Sequence, residues 1–275
     1  MLTRPITRPL TRPITRALVR RSSAFDPLTL FAQGQQGAWY DPSDLATLFQ
    51  DAAGTIPVTG DGDFVGLMLD KSGNGNHASQ STTAAKPTYR TDGTLHWLEA
   101  DGIDDFIGTG LVPFDGNRFF ISTAFTYSGG QQYGGVFRFL SESGDPTSPS
   151  SSFLEEYSQT PAFTRKALFQ RFPSLTIPYD DYSARPESGS PFVSWQKNTP
   201  TGFAQQVIGS QTDATTRSQF SLSSGNAMLD IFRGYSGAIS RGRFFGQIWV
   251  SSDVPDDEIL AANKYLAAKA GVTLP

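Results

Sequence analysis

The sequence predicts an all-β protein, an antiparallel β-sandwich spanning residues 26–275. Short apolar runs with period-two alternation recur along the chain, as in RFFISTAFTY from Arg118 to Tyr127. Every second residue there shares one face: Ile121, Thr123, Phe125 and Tyr127. The 27 Gly and 18 Pro residues interrupt the chain too often for a helical protein. No helical pattern separates the strand candidates, so neighbouring strands are expected to pair antiparallel.

Composition supports one large domain and excludes several classes of site. The chain has 275 residues, of which 21 are Phe, 9 Tyr and 4 Trp, enough large apolar side chains for a substantial core. It contains no cysteine, which excludes disulfides, thiolate zinc sites and a thiol nucleophile. No apolar run approaches the roughly 18 residues of a membrane-spanning helix, and the start lacks the apolar region of a signal peptide.

The first 25 residues differ from the rest in pattern and charge. Residues 2–16 read LTRPITRPLTRPITR, a four-residue Thr-Arg-Pro-aliphatic repeat. Each proline favours extended backbone at and before it, so residues 1–25 are predicted to be an extended arm. Six arginines and no acid precede Asp26, which leaves 16 basic against 26 acidic residues afterwards, a net charge of −10.

This asymmetry predicts that the arm docks on an acidic partner. Evenly spaced aliphatic side chains favour an extended peptide lying in a groove. The expected contact residues are Arg4, Ile6, Arg8, Leu10, Arg12, Ile14, Arg16, Arg20 and Arg21. A solvated tail is the alternative. Nucleic acid is not expected as partner, since the arm lacks aromatic residues for stacking and the body is acidic.

The body then divides into short elements. Asp41, Pro42, Ser43 and Asp44 predict a turn and a short helix before Leu48. Ser72-Gly73-Asn74-Gly75-Asn76 predicts a tight loop. HWLEADGIDDFIGTG predicts strands around Leu95–Glu99 and Asp105–Thr109, joined by an Asp-Gly turn. Further strands are predicted at VFRFL, SPFVSWQ, QFSLSS, MLDIFRGY and RFFGQIWVSS, with irregular segments at 141–152 and 173–190.

The last element is predicted to be a helix at about 255–270. Asp256, Asp257 and Glu258 would occupy its first turn, where the helix dipole favours acids. Ile259, Ala262 and Leu266 line one face, and Gly271 is a natural stop. The helix is expected to pack on the sandwich.

Three segments together resemble a known group of folds. LDKSGNGNHA and LEADGIDDFI resemble the paired signature of laminin-G-like, concanavalin A-like jelly rolls, in which a Ser-Gly-Asn-Gly-Asn-His loop precedes a strand of the form Phe-Asp-Gly-x-Asp-Asp-Tyr. Ala100 and Phe106 depart mildly from that form. FFGQIWVSSDVPDDEILAANKYLAAKAGV resembles the closing strand and helix. With AWYDPSDLATLFQD and the arm, the chain resembles phage virion structural proteins carrying such domains.

Catalysis is not predicted by the sequence. Glycosidases of this fold group place carboxylates as Glu-x-Asp-x-Glu on one strand, pointing to one side. Glu99 and Asp101 share the spacing, but Ile103 follows, and Glu155 and Glu156 are adjacent. Neither histidine, His77 or His96, lies near a nucleophile elbow. The chain is therefore expected not to be an enzyme.

Ligand candidates remain. The resemblance implies calcium as the ion to expect if one is bound, with Asp61, Asp63, Asp101, Asp104 and Asp105 as carboxylate donors; turn and capping aspartates are the alternative. Most of the tryptophans, including Trp97, Trp195 and Trp249, are expected in the core. The aromatic residues expected at the surface for glycans are Tyr133, Tyr179 and Tyr182.

These observations predict a structural virion component located on the particle. The arm would bind other virion proteins of a capsid, fibre or tail, and the jelly roll would serve as capsid decoration or as a module for host adhesion through surface glycans. Attachment to a symmetric particle implies a homo-oligomer. No cofactor other than calcium is expected. The alternative is a free carbohydrate-binding or glycan-hydrolysing protein.

Overall fold

The computed structural model describes residues 24–131, 134–141, 152–156, 168–171, 189–208, 212–217, 225–234 and 237–274. The predicted arm, residues 1–25, lies outside them except for its last two residues, as does the predicted strand QFSLSS. The described residues confirm the all-β prediction, because strands dominate and the single α-helix among them is α1 (Asp256–Lys269). Within these ranges, no helix has both the length and the hydropathy of a membrane span.

The strands follow one another with short connections. In chain order they are β1 (Gly37–Tyr40), β2 (Leu48–Phe49), β3 (Leu67–Met68), β4 (Ala78–Ser79), β5 (Thr88–Thr91), β6 (His96–Asp101), β7 (Ile107–Thr109), β8 (Val112–Phe114), β9 (Phe119–Gly130), β10 (Gly135–Ser141), β11 (Ser152–Glu156), β12 (Leu168–Arg171), β13 (Pro191–Thr199), β14 (Gly202–Ile208), β15 (Thr212–Arg217), β16 (Gly225–Ile231) and β17 (Ser240–Val250). Short 3-10 helices occupy Pro27–Phe31, Leu45–Thr47 and Thr83–Ala85. The second of these confirms the helical turn predicted after Asp44.

Two antiparallel sheets make the sandwich. The first sheet has the order β15-β14-β13-β9-β17-β6-β5, with β1 also pairing β17. The second has the order β12-β11-β10-β16-β7-β4-β3-β2, with β8 also pairing β16. Neighbours in the order are far apart in the chain, as in β9 and β17, which is the crossed connectivity of a jelly roll. The predicted jelly-roll β-sandwich is thus confirmed.

Strand β9 of the first sheet is buried on both faces, which explains why its sequence is apolar beyond simple alternation. Phe119, Ile121 and Phe125 point into the core between the sheets. Phe120 and Ala124 point the other way, into a second core beneath α1. The predicted face of alternating residues is therefore real, but the opposite face is buried as well.

Helix α1 confirms the C-terminal prediction and covers the outer face of the first sheet. Ile259, Ala262 and Leu266 are buried against it, as their spacing predicts. The Ser122 hydroxyl donates to the Asn263 side-chain oxygen at 2.7 Å, linking β9 to the helix. Trp97 and Trp39 also lie in this second core, whereas Trp249 is buried in the first.

Two predicted strands have shifted limits. β6 runs from His96 to Asp101, because Asp101 still pairs with Arg241 of β17. β7 begins only at Ile107. The Asp105 side chain turns back to accept from the Asp101 backbone N–H at 3.0 Å, and this closes a loop over residues 101–105.

Candidate functional site

The most distinctive sequence segment folds into a self-satisfied loop, residues 70–77, called here the Gly–Asn loop. Its centre is the Asp70 carboxylate, which is buried. That carboxylate accepts hydrogen bonds from the backbone N–H groups of Trp39, Ser72 and Asn76 at 2.8–3.0 Å. The Ser72 hydroxyl donates a fourth at 2.8 Å. Asp70 therefore organises the loop and fastens it to β1.

The amide side chains of this loop also bind backbone. Asn74 and Asn76 both donate from Nδ2 to the Gly37 carbonyl, at 3.0 and 2.8 Å. His77 Nδ1 accepts from the Asp70 backbone N–H at 3.0 Å. Gly73 and Gly75 have φ of 91° and 76°, the left-handed conformation that the turn requires. The loop signature thus has a structural role.

A second polar cluster joins α1 to the loop after β1. The Asp41 carboxylate, which is buried, accepts from Ser43 Oγ at 2.7 Å, from Tyr265 OH at 2.8 Å and from Lys269 Nζ at 2.9 Å. Burial raises the pKa of Asp41, but the hydrogen bonds from Ser43, Lys269 and Tyr265 and the charge of Lys269 outweigh it, and the net pKa is lowered. This cluster also contributes to the fold.

The acidic rim, defined as Asp101, Asp104 and Asp105, is different. Among the described residues these three form the one group of potential metal ligands, with side-chain oxygens within 4.8 Å of one another. Asp101 and Asp104 are exposed, and Asp105 is buried. The loop over residues 101–105 brings them together, since Asp101 also accepts from the Ile103 backbone N–H at 2.7 Å.

The three carboxylates repel one another. Burial, together with the charges of Asp101 and Asp104, raises the pKa of Asp105 to about 6, although the hydrogen bond from the Asp101 backbone N–H acts in the opposite direction. Such a group exchanges its proton close to neutral pH. Hard carboxylate oxygens also suit calcium, so the calcium expectation stays a prediction for these three residues.

Gln131 links the acidic rim to the connection between β16 and β17. Its Nε2 donates to the Ile103 carbonyl at 2.7 Å, and its Oε1 accepts from the Ile239 backbone N–H at 3.2 Å. Ile103 itself is 68% exposed. The rim therefore presents carboxylates around an apolar side chain on a fixed loop.

On the outer face of the second sheet, an arginine cluster comprises Arg138, Asp230 and Arg233. Arg138 donates from Nε and NH2 to Asp230 Oδ2 at 2.8 and 2.6 Å. The Arg233 guanidinium lies 3.8 Å from the centre of the Phe106 ring. Phe106 follows Asp105 directly, so this cluster and the acidic rim are neighbours in the fold.

The other predicted site residues fall elsewhere. Asp61 pairs with Arg90 at 3.2 Å, and Asp63 accepts from the backbone N–H groups of Thr59 and Gly60. The structure does not bring either into the acidic rim. Glu99 pairs with Arg90 and Arg243 at 3.2 and 3.4 Å. Tyr133, Tyr179 and Tyr182 lie outside the described residues, as do the arm positions Arg4, Ile6, Arg8, Leu10, Arg12, Ile14, Arg16, Arg20 and Arg21.

Sequence analysis missed Arg233, Gln131 and the contact of Phe106 with an arginine. Phe106 was noted only as a departure from the usual tyrosine. Nothing in the spacing of Arg233 distinguishes it from other arginines that follow a strand. Its importance depends on a contact between two chain segments more than 120 residues apart, which local patterns do not report.

No protein-family profile and no curated protein matches the chain. Solved structures do match. A GH54 α-L-arabinofuranosidase solved with 4-nitrophenyl α-L-arabinofuranoside is similar with a TM-score of 0.62 at 12% identity, covering 90% of this chain and 66% of that chain. The present chain thus spans just under two thirds of that enzyme's length.

Two further structures share the fold. Domain 4 of AbnA, a GH43 extracellular arabinanase from Geobacillus stearothermophilus, was solved in complex with arabinotriose. It matches with a TM-score of 0.53 at 12% identity, covering 83% of this chain and 98% of that chain. Trypanosoma rangeli sialidase matches with a TM-score of 0.50 at 10% identity, covering 87% of this chain and 34% of that chain. At such identities these similarities establish the fold, a jelly roll of the kind present in glycoside hydrolases.

The prediction that the chain is not an enzyme is contradicted by these similarities, because structures of this fold include an arabinofuranosidase, an arabinanase domain and a sialidase. The prediction depended on the missing Glu-x-Asp-x-Glu spacing along one strand. That rule overlooks carboxylates collected by a loop, and the acidic rim is such a collection.

Proposed function

We propose that this chain binds carbohydrate through the rim of its jelly roll. The observation that carries the proposal is the match to the arabinotriose complex, since the alignment covers 98% of that domain and 83% of this chain. The comparison is therefore between whole domains. A single domain of this fold and size holds a trisaccharide, and the same architecture here presents a polar rim.

The acidic rim has suitable chemistry for sugars. Carboxylates accept hydrogen bonds from sugar hydroxyl groups, and charge-assisted bonds of this kind are the stronger ones. Ile103, 68% exposed between them, offers an apolar surface for the C–H face of a sugar ring. Carbohydrate sites combine these two features, an apolar platform with a few convergent polar groups.

Isothermal titration of the full chain with arabinotriose tests the proposal, with maltotriose and cellotriose as a comparison panel. Asp104→Asn is expected to weaken binding about tenfold, the effect of one lost charge-assisted hydrogen bond. Asp257→Asn, an exposed acid in the first turn of α1, serves as the matched control and should bind as the unaltered chain does. Absence of binding to every oligosaccharide would overturn the proposal.

A second candidate function is glycan hydrolysis at the same rim. Retaining glycosidases place two carboxyl groups roughly 5 Å apart, one of them a general acid of raised pKa. The rim oxygens lie within 4.8 Å of one another, and the pKa of Asp105 is raised to about 6. Asp105 would then protonate the leaving oxygen as the glycosidic C–O bond breaks and Asp101 or Asp104 bonds to the anomeric carbon. Water, deprotonated by Asp105, would then displace that carboxylate and release the sugar. Release of arabinose from arabinotriose, lost in Asp105→Asn, would support it, since a sugar leaving group needs the proton that Asp105 would supply.

The arm favours a further proposal, that the domain is displayed on a virus particle as a structural, decorating or adhesive component. The supporting observation is the Thr-Arg-Pro repeat, with six arginines ahead of a body of net charge −10. Deletion of residues 1–23, which leaves Phe25 in place beside Tyr265, should abolish incorporation into particles while leaving the unfolding curve of the body unchanged. Incorporation of the truncated chain would contradict the proposal. Oligomeric state is measured on the same samples by light scattering.

A further inference from the structure

Two arginines share one carboxylate on the outer face of the second sheet. Asp230 Oδ2 accepts two hydrogen bonds from Arg138, and both side chains are almost fully buried. Arg138 also donates to the Gly234 carbonyl at 3.3 Å. The negative charge of Asp230 is therefore already committed to Arg138.

Arg233 is the arginine that remains. Its Nη1 forms an ion pair with Asp230 Oδ2 at 3.6 Å, a distance longer than a hydrogen bond. Its Nε is buried, and no atom in the described part of the chain accepts from it. Burial lowers the pKa of Arg233, and so does the charge of Arg138, against the opposing effect of Asp230. Among the described side chains, the cluster thus holds two guanidinium groups against one carboxylate.

The backbone beside Arg233 is strained. Phe232 has a φ of 71°, in the left-handed region that residues with bulky side chains rarely adopt. Among the described residues it is the one non-glycine residue in that region. Phe232 is buried, and its N–H and C=O pair with Val136 and Ser240 at 2.9 Å. Strain held in this way by the surrounding core tends to occur at functional sites.

Arg233 directly follows this left-handed residue. The residue after Phe232 is directed onto the Phe106 ring, with 29% of its side chain exposed. Stacking on an aromatic ring restricts the orientation of the planar guanidinium. A partly exposed, pre-oriented guanidinium matches a carboxylate, which can accept two hydrogen bonds from such a group.

We propose that Arg233, supported by Phe106, is an anion-binding subsite that takes the carboxylate of an acidic sugar residue, such as a uronic or sialic acid. This inference rests on the proposed carbohydrate-binding function and narrows its ligand to glycans that carry a carboxylate. A neutral sugar would satisfy the donors of Arg233 but would leave the surplus charge uncompensated.

The acidic rim does not oppose this assignment. Asp105 and Phe106 are consecutive residues, but the Asp105 side chain turns back to the Asp101 backbone N–H, whereas the Phe106 ring lies against Arg233. Ile107 points into the core between the sheets, and Phe106 meets Arg233 outside it. The charged groups that act on the pKa of Arg233 are Asp230 and Arg138. An acidic sugar at Arg233 thus meets a cluster in which two guanidinium groups face one carboxylate among the described side chains.

The test is titration of the full chain with trigalacturonate, with neutral arabinotriose and with a sulfated disaccharide. The unaltered chain should bind trigalacturonate, and Arg233→Gln should weaken that binding at least tenfold. Arg233→Lys should weaken it by a smaller factor, since it keeps the charge and loses the planar fork. Arg118→Gln is the matched control, because Arg118 is exposed. It directly precedes β9, whereas Gln131, which contacts the acidic rim, directly follows that strand.

The outcomes separate this inference from the proposed function. Binding of arabinotriose without trigalacturonate would overturn the acidic-sugar assignment and leave carbohydrate binding in place. Unchanged trigalacturonate binding in Arg233→Gln would also overturn only the acidic-sugar assignment. Tighter binding of the sulfated disaccharide than of trigalacturonate would have the same meaning. Binding of no saccharide would overturn both. If Arg233→Gln unfolds, Phe106→Leu, which keeps the charge and removes the stacking ring, should still reduce trigalacturonate binding severalfold.

Discussion

The Gly–Asn loop and the acidic rim are both aspartate-centred loops, yet they differ in how far their polar groups are satisfied. Asp70 accepts four hydrogen bonds from within the chain, whereas buried Asp105 accepts one from the Asp101 backbone and faces two other carboxylates. The Gly–Asn loop directly precedes β4 in the chain. The acidic rim lies near the other end of β4, where the Gln80 side chain donates to the carbonyl of Phe106, the residue after Asp105. The Asp70 carboxylate is satisfied within the chain and stabilises the fold, whereas the exposed carboxylates of Asp101 and Asp104 can accept hydrogen bonds from a ligand.

The largest effect expected from this comparison is on stability at Asp70. Asp70→Asn places an amide N–H₂ where backbone N–H groups now donate, so at least one pair of hydrogen bonds is lost in a buried site. The free energy of unfolding should fall by about 2 to 4 kcal/mol. Urea unfolding measures it. Asp104→Asn, at an exposed rim position, is the control and should leave the midpoint unchanged; equal losses would remove the distinction between the loops.

Substitution of Asp105 should have the opposite effect on the free energy of unfolding. Its pKa is raised to about 6 in the folded chain, so it holds a proton more tightly there than when unfolded. The stability that this contributes is present below pH 4 and lost as the pH rises through 6. Asp105→Asn should therefore stabilise the chain at pH 8 by about 1 to 3 kcal/mol. Unfolding curves between pH 4 and 8 measure it, and a pH-independent difference would contradict the charge explanation.

The Asp41 cluster should show the reverse pH dependence. Its lowered pKa contributes stability above pH 4 that is lost as the pH falls further. Lys269→Met removes one of the donors to this buried carboxylate and should cost about 1 to 2 kcal/mol at pH 7 and less at pH 3. Lys264→Met, on an exposed position of α1, is the control. If Lys269→Met lowers the free energy of unfolding equally at pH 3, the loss would come from side-chain packing and not from the charge of Lys269.

The smallest expected effect is that of calcium on the acidic rim. With a dissociation constant near 1 mM, typical of weak extracellular sites, 5 mM calcium would add about 1 kcal/mol. That corresponds to a rise in melting temperature of roughly 2–4 °C, absent in Asp104→Asn. An equal rise with magnesium would point to general screening and contradict a calcium site.

Local patterns were sufficient to predict much of the fold. The alternation in RFFISTAFTY predicted β9, and the acids after Pro255 with the spacing of Ile259, Ala262 and Leu266 predicted α1. Both depend on interactions within one element, which short-range pattern captures. The burial of β9 on both faces was not predicted, since it follows from where α1 docks.

The candidate site was predictable only in part. Asp101, Asp104 and Asp105 were named because they are close in sequence and carry oxygen donors. Asp61 and Asp63 were named on the same ground, but the loops that hold them fold elsewhere. Arg233 was missed because its features are conformational: the positive φ of Phe232 has no signature in a phenylalanine, and the sharing of Asp230 requires β10 and β16 to pair.

The central position of β17 has a consequence for how the chain is made. β17 pairs β9 on one side and both β6 and β1 on the other, so the first sheet remains two separate halves until residues 240–250 are available. A nascent chain that ends before them presents two unpaired strand edges, and such edges recruit other chains. Folding should therefore be slow and late on the ribosome, and truncation ahead of β17 should yield aggregates and not a smaller soluble domain.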